Sequence, residues 1–198
     1  MIKEKQSPFQ PLDKLLNHDV STFQHSIRVA AILCEWGPHY SNLISVDELF
    51  VLGSKHDIGK LSIPPEVLNK KGALNKKEWT MIYEHPIKSY EMLKKDATVS
   101  ENVLSSIKYH HENFDGTGYP YQLKGEEIPL YARMIRIADS FDALTSYRPY
   151  KNNRKSILEA ISNMQMYSGT WYDPKIFAHF KSYIEGQLDS VTNHSTSF

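Results

Sequence analysis

A single cysteine, Cys34, in 198 residues excludes any disulfide within the chain and points to a reducing compartment. Its apolar neighbours Ala31, Ile32 and Leu33 predict a buried, inert thiol rather than a nucleophile. Neither sign of charge is in surplus, since 23 basic residues balance 23 acidic ones. That balance gives no indication of the broad basic face with which proteins grip polymeric nucleic acid, and leaves room for a local basic pocket. No uninterrupted apolar run reaches membrane-spanning length, and Met1-Ile2-Lys3-Glu4-Lys5 leads into no hydrophobic segment. The reading is therefore a cytoplasmic protein with no membrane segment. Internal repeats are missing, and so is any alternating stretch of strand length. The expected fold is all-α. With 40% hydrophobic and 23% charged residues, the chain has the makeup of one ordinary globular domain.

Punctuation along the chain divides it further. Residues 1–18 are polar with two prolines and read as an arm or linker; residues 19–188 form the domain; residues 189–198 read as a flexible tail. Phe23, Ile27, Ala30, Ala31 and Cys34 fall at helical spacing, and Gly37-Pro38 is expected to stop that helix. Asp47 is the expected N-cap of a short helix running towards His56. Ile63-Pro64-Pro65 predicts an extended passage. Asn75 with Glu78 predicts a capping box, opening a helix that carries Trp79, Ile82, His85 and Met92, with Pro86 a point of kinking or division. Ser100 caps the next helix, two more are expected near 130–146 and 155–167, and Asp173-Pro174 starts the last. Between them Asn113–Pro129 holds three glycines and two prolines, and predicts a long ordered loop directly after two histidines.

Chemistry-bearing residues recur in a pattern: His25, His56-Asp57, His85, His110-His111 and Asp139, on or at the ends of separate helices. A helical bundle can aim such residues into its centre, where facing helices commonly build metal sites. Imidazole and carboxylate together suit iron, manganese, zinc, cobalt or nickel better than calcium or magnesium. Taken singly, a helical histidine is more often a packed or surface residue than a ligand. His18, His39, His179 and His194 are read that way.

His56-Asp57-Ile58-Gly59-Lys60, the stretch His110-His111-Glu112-Asn113-Phe114-Asp115-Gly116-Thr117-Gly118-Tyr119-Pro120, and Ile137-Ala138-Asp139-Ser140-Phe141-Asp142 resemble the HD-GYP domain, a branch of the HD phosphohydrolase superfamily. The resemblance runs from about His25 to Phe180 and implies an HD-domain helical bundle with a long ordered GYP loop. It also implies hydrolysis of a cyclic dinucleotide, cyclic di-GMP, by a hydroxide bridging two divalent cations, iron first and manganese next. By position, the implied ligands are His25, His56, Asp57, His85, His110, His111 and Asp139, with Asp57 the bridge. Lys60 is implied at the scissile phosphate or the attacking hydroxide, and Tyr119, Arg148 and Lys151 along the substrate groove. Gly116 and Gly118 are expected to supply backbone angles closed to other residues.

Some members of that family carry a glutamate four residues before the first histidine, supporting a third metal. Ser21 stands there in this chain, which predicts two metals and a product that stops at the linear dinucleotide pGpG. Glu112 and Asp115 are expected to be structural, and Asp142 either orients a ligand or pairs with a base. Lys55 is expected to face solvent, and Trp36, Trp79 and Trp171 to be core. Two other functions stay open: a non-catalytic signalling module with protein partners, and a phosphohydrolase for another cyclic dinucleotide. The first 18 residues hold no sensor or receiver domain, so the chain is expected to be either free-standing or part of a larger protein. The sequence names no oligomeric state.

Overall fold

The computed structural model describes residues 10–146 and 154–195. Among them are nine α-helices: α1 (Gln10–His18), α2 (Val20–Tyr40), α3 (Val46–Lys55), α4 (Pro65–Leu68), α5 (Lys76–Leu93), α6 (Glu101–Lys108), α7 (Leu130–Thr145), α8 (Ile157–Gln165) and α9 (Pro174–Ser195). The described residues form no strand, and one isolated bridge joins Ser168 to Tyr172.

Helix α2 is the axis of the bundle, with α3, α7, α1 and α9 packed around it. Its side chains Val29, Leu33 and Trp36 are fully buried, together with Leu49 and Leu52 of α3 and Met134, Ile135 and Ile137 of α7. The buried face of α2 is Thr22, His25, Ser26, Val29, Ala30, Leu33, Trp36 and Gly37. Ala31 is exposed, and Phe23, Ile27 and Cys34 are half-buried, so the inward face lies beside the expected stripe. An apolar stripe misjudges this helix because its inward face carries polar residues at its N-terminal end.

Helix α2 also continues through Gly37-Pro38 to Tyr40. Proline removes one hydrogen bond there, but packing of Trp36 and Gly37 holds the final turn, and Ser41 N–H donates to Gly37 O at 3.3 Å. Residues 10–18, expected to be arm or linker, form helix α1 and bury Leu12 and Leu15 against the bundle. Helix α9 likewise runs past residue 188 to Ser195, well into the expected tail. Ser45, rather than Asp47, caps α3. The capping box of Asn75 and Glu78 is present, Ser100 caps α6, and Asp173 Oδ1 accepts from the backbone N–H groups of Lys175 and Ile176. Pro86 sits inside an undivided α5.

Of the tryptophans, Trp36 is core and donates through Nε1 to His179 Nδ1 at 3.0 Å. Trp79 and Trp171 are 45% and 38% exposed, contrary to expectation. Lys55 departs in the other direction: it is buried, its Nζ 3.6 Å from Asp96 Oδ2, so a carboxylate replaces the expected solvent.

Candidate metal centre

Two short segments and three helices deliver the candidate ligands. His25 projects from α2, His85 from α5 and Asp139 from α7; His56 caps the end of α3, Asp57 follows it, and His110-His111 follow the end of α6. The chain brings all seven together. His25, His56 and Asp57 form one group and His85, His110 and His111 a second, the donor atoms of each lying within 4.8 Å of one another. Asp57 stands between the groups: Oδ2 is 3.4 Å from His56 Nε2 and 3.8 Å from His25 Nε2, while Oδ1 is 3.1 Å from His85 Nε2. Asp139 Oδ1 lies 2.9 Å from His25 Nε2.

The backbone dictates which way each ring faces. His56 Nδ1 donates to Gly53 O at 2.8 Å, His85 Nδ1 to Ile82 O at 2.5 Å, and His110 Nδ1 to Ile107 O at 2.6 Å. A carbonyl can only accept, so each Nδ1 carries a proton, and it is Nε2 that each ring turns inward. The acceptors are available for a local reason. Gly53 and Ile107 lie in the last turns of α3 and α6, where helical donors run out. Ile82 is in mid-helix, but the residue that would donate to it is Pro86, which has no N–H.

Such an arrangement calls for a cation. His85 Nε2 and His110 Nε2 face each other at 3.1 Å with both Nδ1 protons already committed. Two lone pairs then converge on one point. His56 Nε2 and Asp57 Oδ1 are buried and have no hydrogen-bond partner among the described residues. Burial, reinforced by neighbouring imidazoles, pushes His110 and His111 well below the ordinary histidine range and lowers His85 too. Burial would raise Asp57, but the Lys60 charge and nearby imidazoles outweigh it and hold the carboxyl well below the usual range. Asp139 is held low in the same way, chiefly by His25. Neutral imidazoles around ionised carboxylates are the donor set a divalent transition metal requires.

His25 is the exception that fits the rule. Burial opposes its protonation, but Asp139 and Asp142 overcome that and raise its proton affinity. A proton at Nε2 occupies the place a cation would take. Asp142 Oδ2 accepts from His25 Nδ1 at 2.6 Å, and Arg28 Nε donates to Asp142 Oδ1 at 2.7 Å, so Asp142 both orients the ring and pairs with a base. Its own carboxyl is pulled down to about 2; burial works against this, and hydrogen bonds from His25 and Arg28 prevail.

A cavity of about 380 Å³ opens onto five of the seven residues; His56 and His110 are buried off its wall. Ser21, Lys60, Asn69, Ile82 and Tyr119 also line it. Lys60 Nζ lies 2.6 Å from Asp57 Oδ2. Tyr119 stacks on His111 with ring centroids 4.8 Å apart, and burial pushes its phenol far above the ordinary range, so the hydroxyl keeps its proton. Arg148 and Lys151 lie outside the described residues, as does the side chain of His194.

The loop 113–129 is tied down by its own residues. Glu112 is buried and accepts from Tyr121 N–H at 2.7 Å and Leu123 N–H at 3.2 Å; Asp115 accepts from Thr117 N–H at 2.9 Å. Gly116 has φ of +86°, as expected. Gly118 has a different reason for being glycine. A Cβ there would lie 2.2 Å from Asn113 N and 2.5 Å from Glu112 Cα, so close packing excludes it.

Sequence reasoning missed three supports. Arg28, one turn beyond His25, anchors Asp142. Arg136 clamps the start of the loop, donating to Asn113 Oδ1 at 3.0 and 3.2 Å and to Ser140 Oγ at 2.8 Å. Ser89 accepts from Gly59 N–H at 2.8 Å and donates to His56 O at 2.6 Å, locking the His56-Asp57 turn to α5. Helical spacing from a candidate ligand (three residues for Arg28 and Arg136, four for Ser89) was the available signal.

A family model described as HD domain matches residues 44–176, and the chain belongs to that family. His25 and α2 precede the matched span. Within the family, the two histidine-bearing motifs and the GYP loop put it in the HD-GYP branch. The cyclic di-GMP phosphodiesterase PA4108 of Pseudomonas aeruginosa is 38% identical over 170 residues, covering 85% of this chain and 41% of its own length. A cyclic di-GMP phosphodiesterase of Thermotoga maritima is 35% identical over 167 residues, covering 82% and 44%. The chain thus spans about two fifths of the length of the curated relatives it matches. Among solved structures, a cyclic GMP-AMP specific phosphodiesterase of Vibrio cholerae matches with a TM-score of 0.67 at 23% identity, over 88% of this chain and 47% of that one. That likeness speaks to the all-helical fold.

Proposed function

We propose that this chain is a metal-dependent phosphodiesterase that hydrolyses cyclic di-GMP to pGpG, with His25, His56, Asp57, His85, His110, His111 and Asp139 holding two divalent cations. The convergence of the His85 and His110 Nε2 lone pairs, 3.1 Å apart beside the Asp57 carboxylate, carries this reading. Relatives at 38% and 35% identity that bear the name cyclic di-GMP phosphodiesterase support the substrate. Held by those residues, divalent cations, iron first and manganese next, would supply hydroxide near neutral pH and offset the charge of the anionic diester.

The chain's own residues do the rest. Lys60 Nζ, on the cavity wall, brings positive charge to the phosphoryl oxygens as they gain charge. Tyr119 keeps its proton and can donate a hydrogen bond to a phosphate oxygen or lay its ring against a base. Asp142 and Arg28 hold the His25 ring at a fixed angle. Ser21 lines the same cavity where some family members place a glutamate, and Asp19 beside it is already held by Thr22 and Asn69, so a third cation lacks that ligand and hydrolysis ends at pGpG. Arg148 and Lys151 are assigned to the groove on their sequence positions.

The test is metal analysis and product chromatography on anaerobically purified protein, beside Asp57→Ala. We expect bound iron or manganese, conversion of cyclic di-GMP to pGpG, and at least a hundredfold loss in the variant. Metal without turnover would favour a signalling module. Faster cleavage of a mixed cyclic GMP-AMP dinucleotide would reassign the substrate, and rapid conversion to GMP would overturn the two-metal assignment.

A further inference from the structure

A row of aromatic rings leaves the metal centre and ends in solvent. Tyr119 stacks on His111, Tyr83 meets Tyr119 edge to face with centroids 4.7 Å apart, and Trp79 stacks on Tyr83 at 5.5 Å with an interplanar angle of 23°. Tyr83 is 48% exposed and Trp79 45%. Both stand on α5 one turn apart, and the same helix contributes Ile82 and His85 to the cavity wall. We infer that Trp79 and Tyr83 form the stacking platform for one purine base of the cyclic dinucleotide, an inference that rests on the phosphodiesterase reading above.

Three observations favour this over a pair that merely stiffens a helix. An i,i+4 aromatic pair needs no third ring, yet here the stack is joined to the metal centre through Tyr119. Large flat rings are exposed beside Ile82, which lines the cavity from α5, although leaving apolar surface in water is unfavourable. The spacing also suits the ligand: Trp79 lies six residues, or about 9 Å of helix, from His85, the reach needed between a phosphate at the metals and a base beyond its ribose. Every base has a π-face, so a flat indole takes guanine or adenine alike and sets affinity rather than base choice.

The experiment compares metal-loaded wild type with Trp79→Ala, Trp79→Phe and Tyr83→Ala, after metal content and circular dichroism show each variant to be folded and loaded. Steady-state cleavage of cyclic di-GMP is measured beside tryptophan emission on mixing at low temperature. We expect Trp79→Ala to raise KM on the order of tenfold, with kcat within about twofold. Trp79→Phe should keep KM near wild type while abolishing the emission quench, because Trp36 and Trp171 lie outside the row. An unchanged KM in Trp79→Ala, or a quench that persists in Trp79→Phe, overturns the platform and leaves the hydrolase standing. A wild type that neither binds nor cleaves any cyclic dinucleotide overturns both.

Discussion

At the scale of single residues, the candidate centre has its ring protons committed by hydrogen bonds within the fold. Three Nδ1 atoms give theirs to carbonyls and a fourth to Asp142. The identity of the candidate ligands was legible in the sequence because His-Asp and His-His adjacency at those intervals is rare. What fixes their tautomers was not, since Gly53, Ile82 and Ile107 act through backbone atoms that carry no side-chain signature. Asp142 was half legible: its distance from Asp139 put it on the right helical face, but Arg28 lies 114 residues away in sequence. Replacing Asp142 with alanine frees the His25 ring and leaves Arg28 unpaired. Calorimetric titration of chelated protein with manganese should then show affinity weakened about 10- to 100-fold. An affinity equal to that of wild type would show that the ring needs no such support.

Among the elements, the turn that follows His56-Asp57 packs directly against the backbone of α5. A Cβ at Gly59 would lie 2.2 Å from His85 O and 2.5 Å from Ser89 N, both backbone atoms that cannot swing away. Gly59→Ala must therefore separate the turn from the helix that carries His85. By the usual cost of overpacking we expect a loss of about 1–3 kcal/mol in urea denaturation, together with reduced metal content. Gly72→Ala is the control, because nothing lies within 4 Å of its position, and it should be neutral. Most helices were readable from caps and breakers, as Asn75, Ser100 and Asp173 show. Helix α1 was not, because two prolines and a polar flank masked the buried pair Leu12 and Leu15. Nor was the buried face of α2, where Thr22 and His25, which line the cavity, and the buried Ser26 stand in place of apolar residues. The exposure of Trp79 was misread for the opposite reason: aromatic residues at helical spacing usually face a core.

For the molecule as a whole, the candidate ligands come from positions 25 to 139 and tie α2, α3, α5, α6 and α7 to one point. Cation binding should accordingly stabilise the entire fold. At a manganese concentration a hundredfold above its Kd, linkage gives about 2.7 kcal/mol, or roughly 5–10 °C in Tm for a domain of this size. Differential scanning calorimetry of chelated and reloaded protein measures it. An equal rise in Asp57→Ala would place the binding elsewhere. The described helices include none long and apolar enough to cross a membrane.

His56, His85 and His110 each take their bearing from a carbonyl three residues back in their own turn of chain. Orientation is thus a local property, set before distant segments meet, while spacing is a tertiary one. Drift in the apolar interior can slide one rod against another and alter the gap between the two groups of candidate ligands, yet each imidazole keeps its angle. A scaffold of this kind can be retuned for a different ion or reaction by repacking alone, with no histidine exchanged.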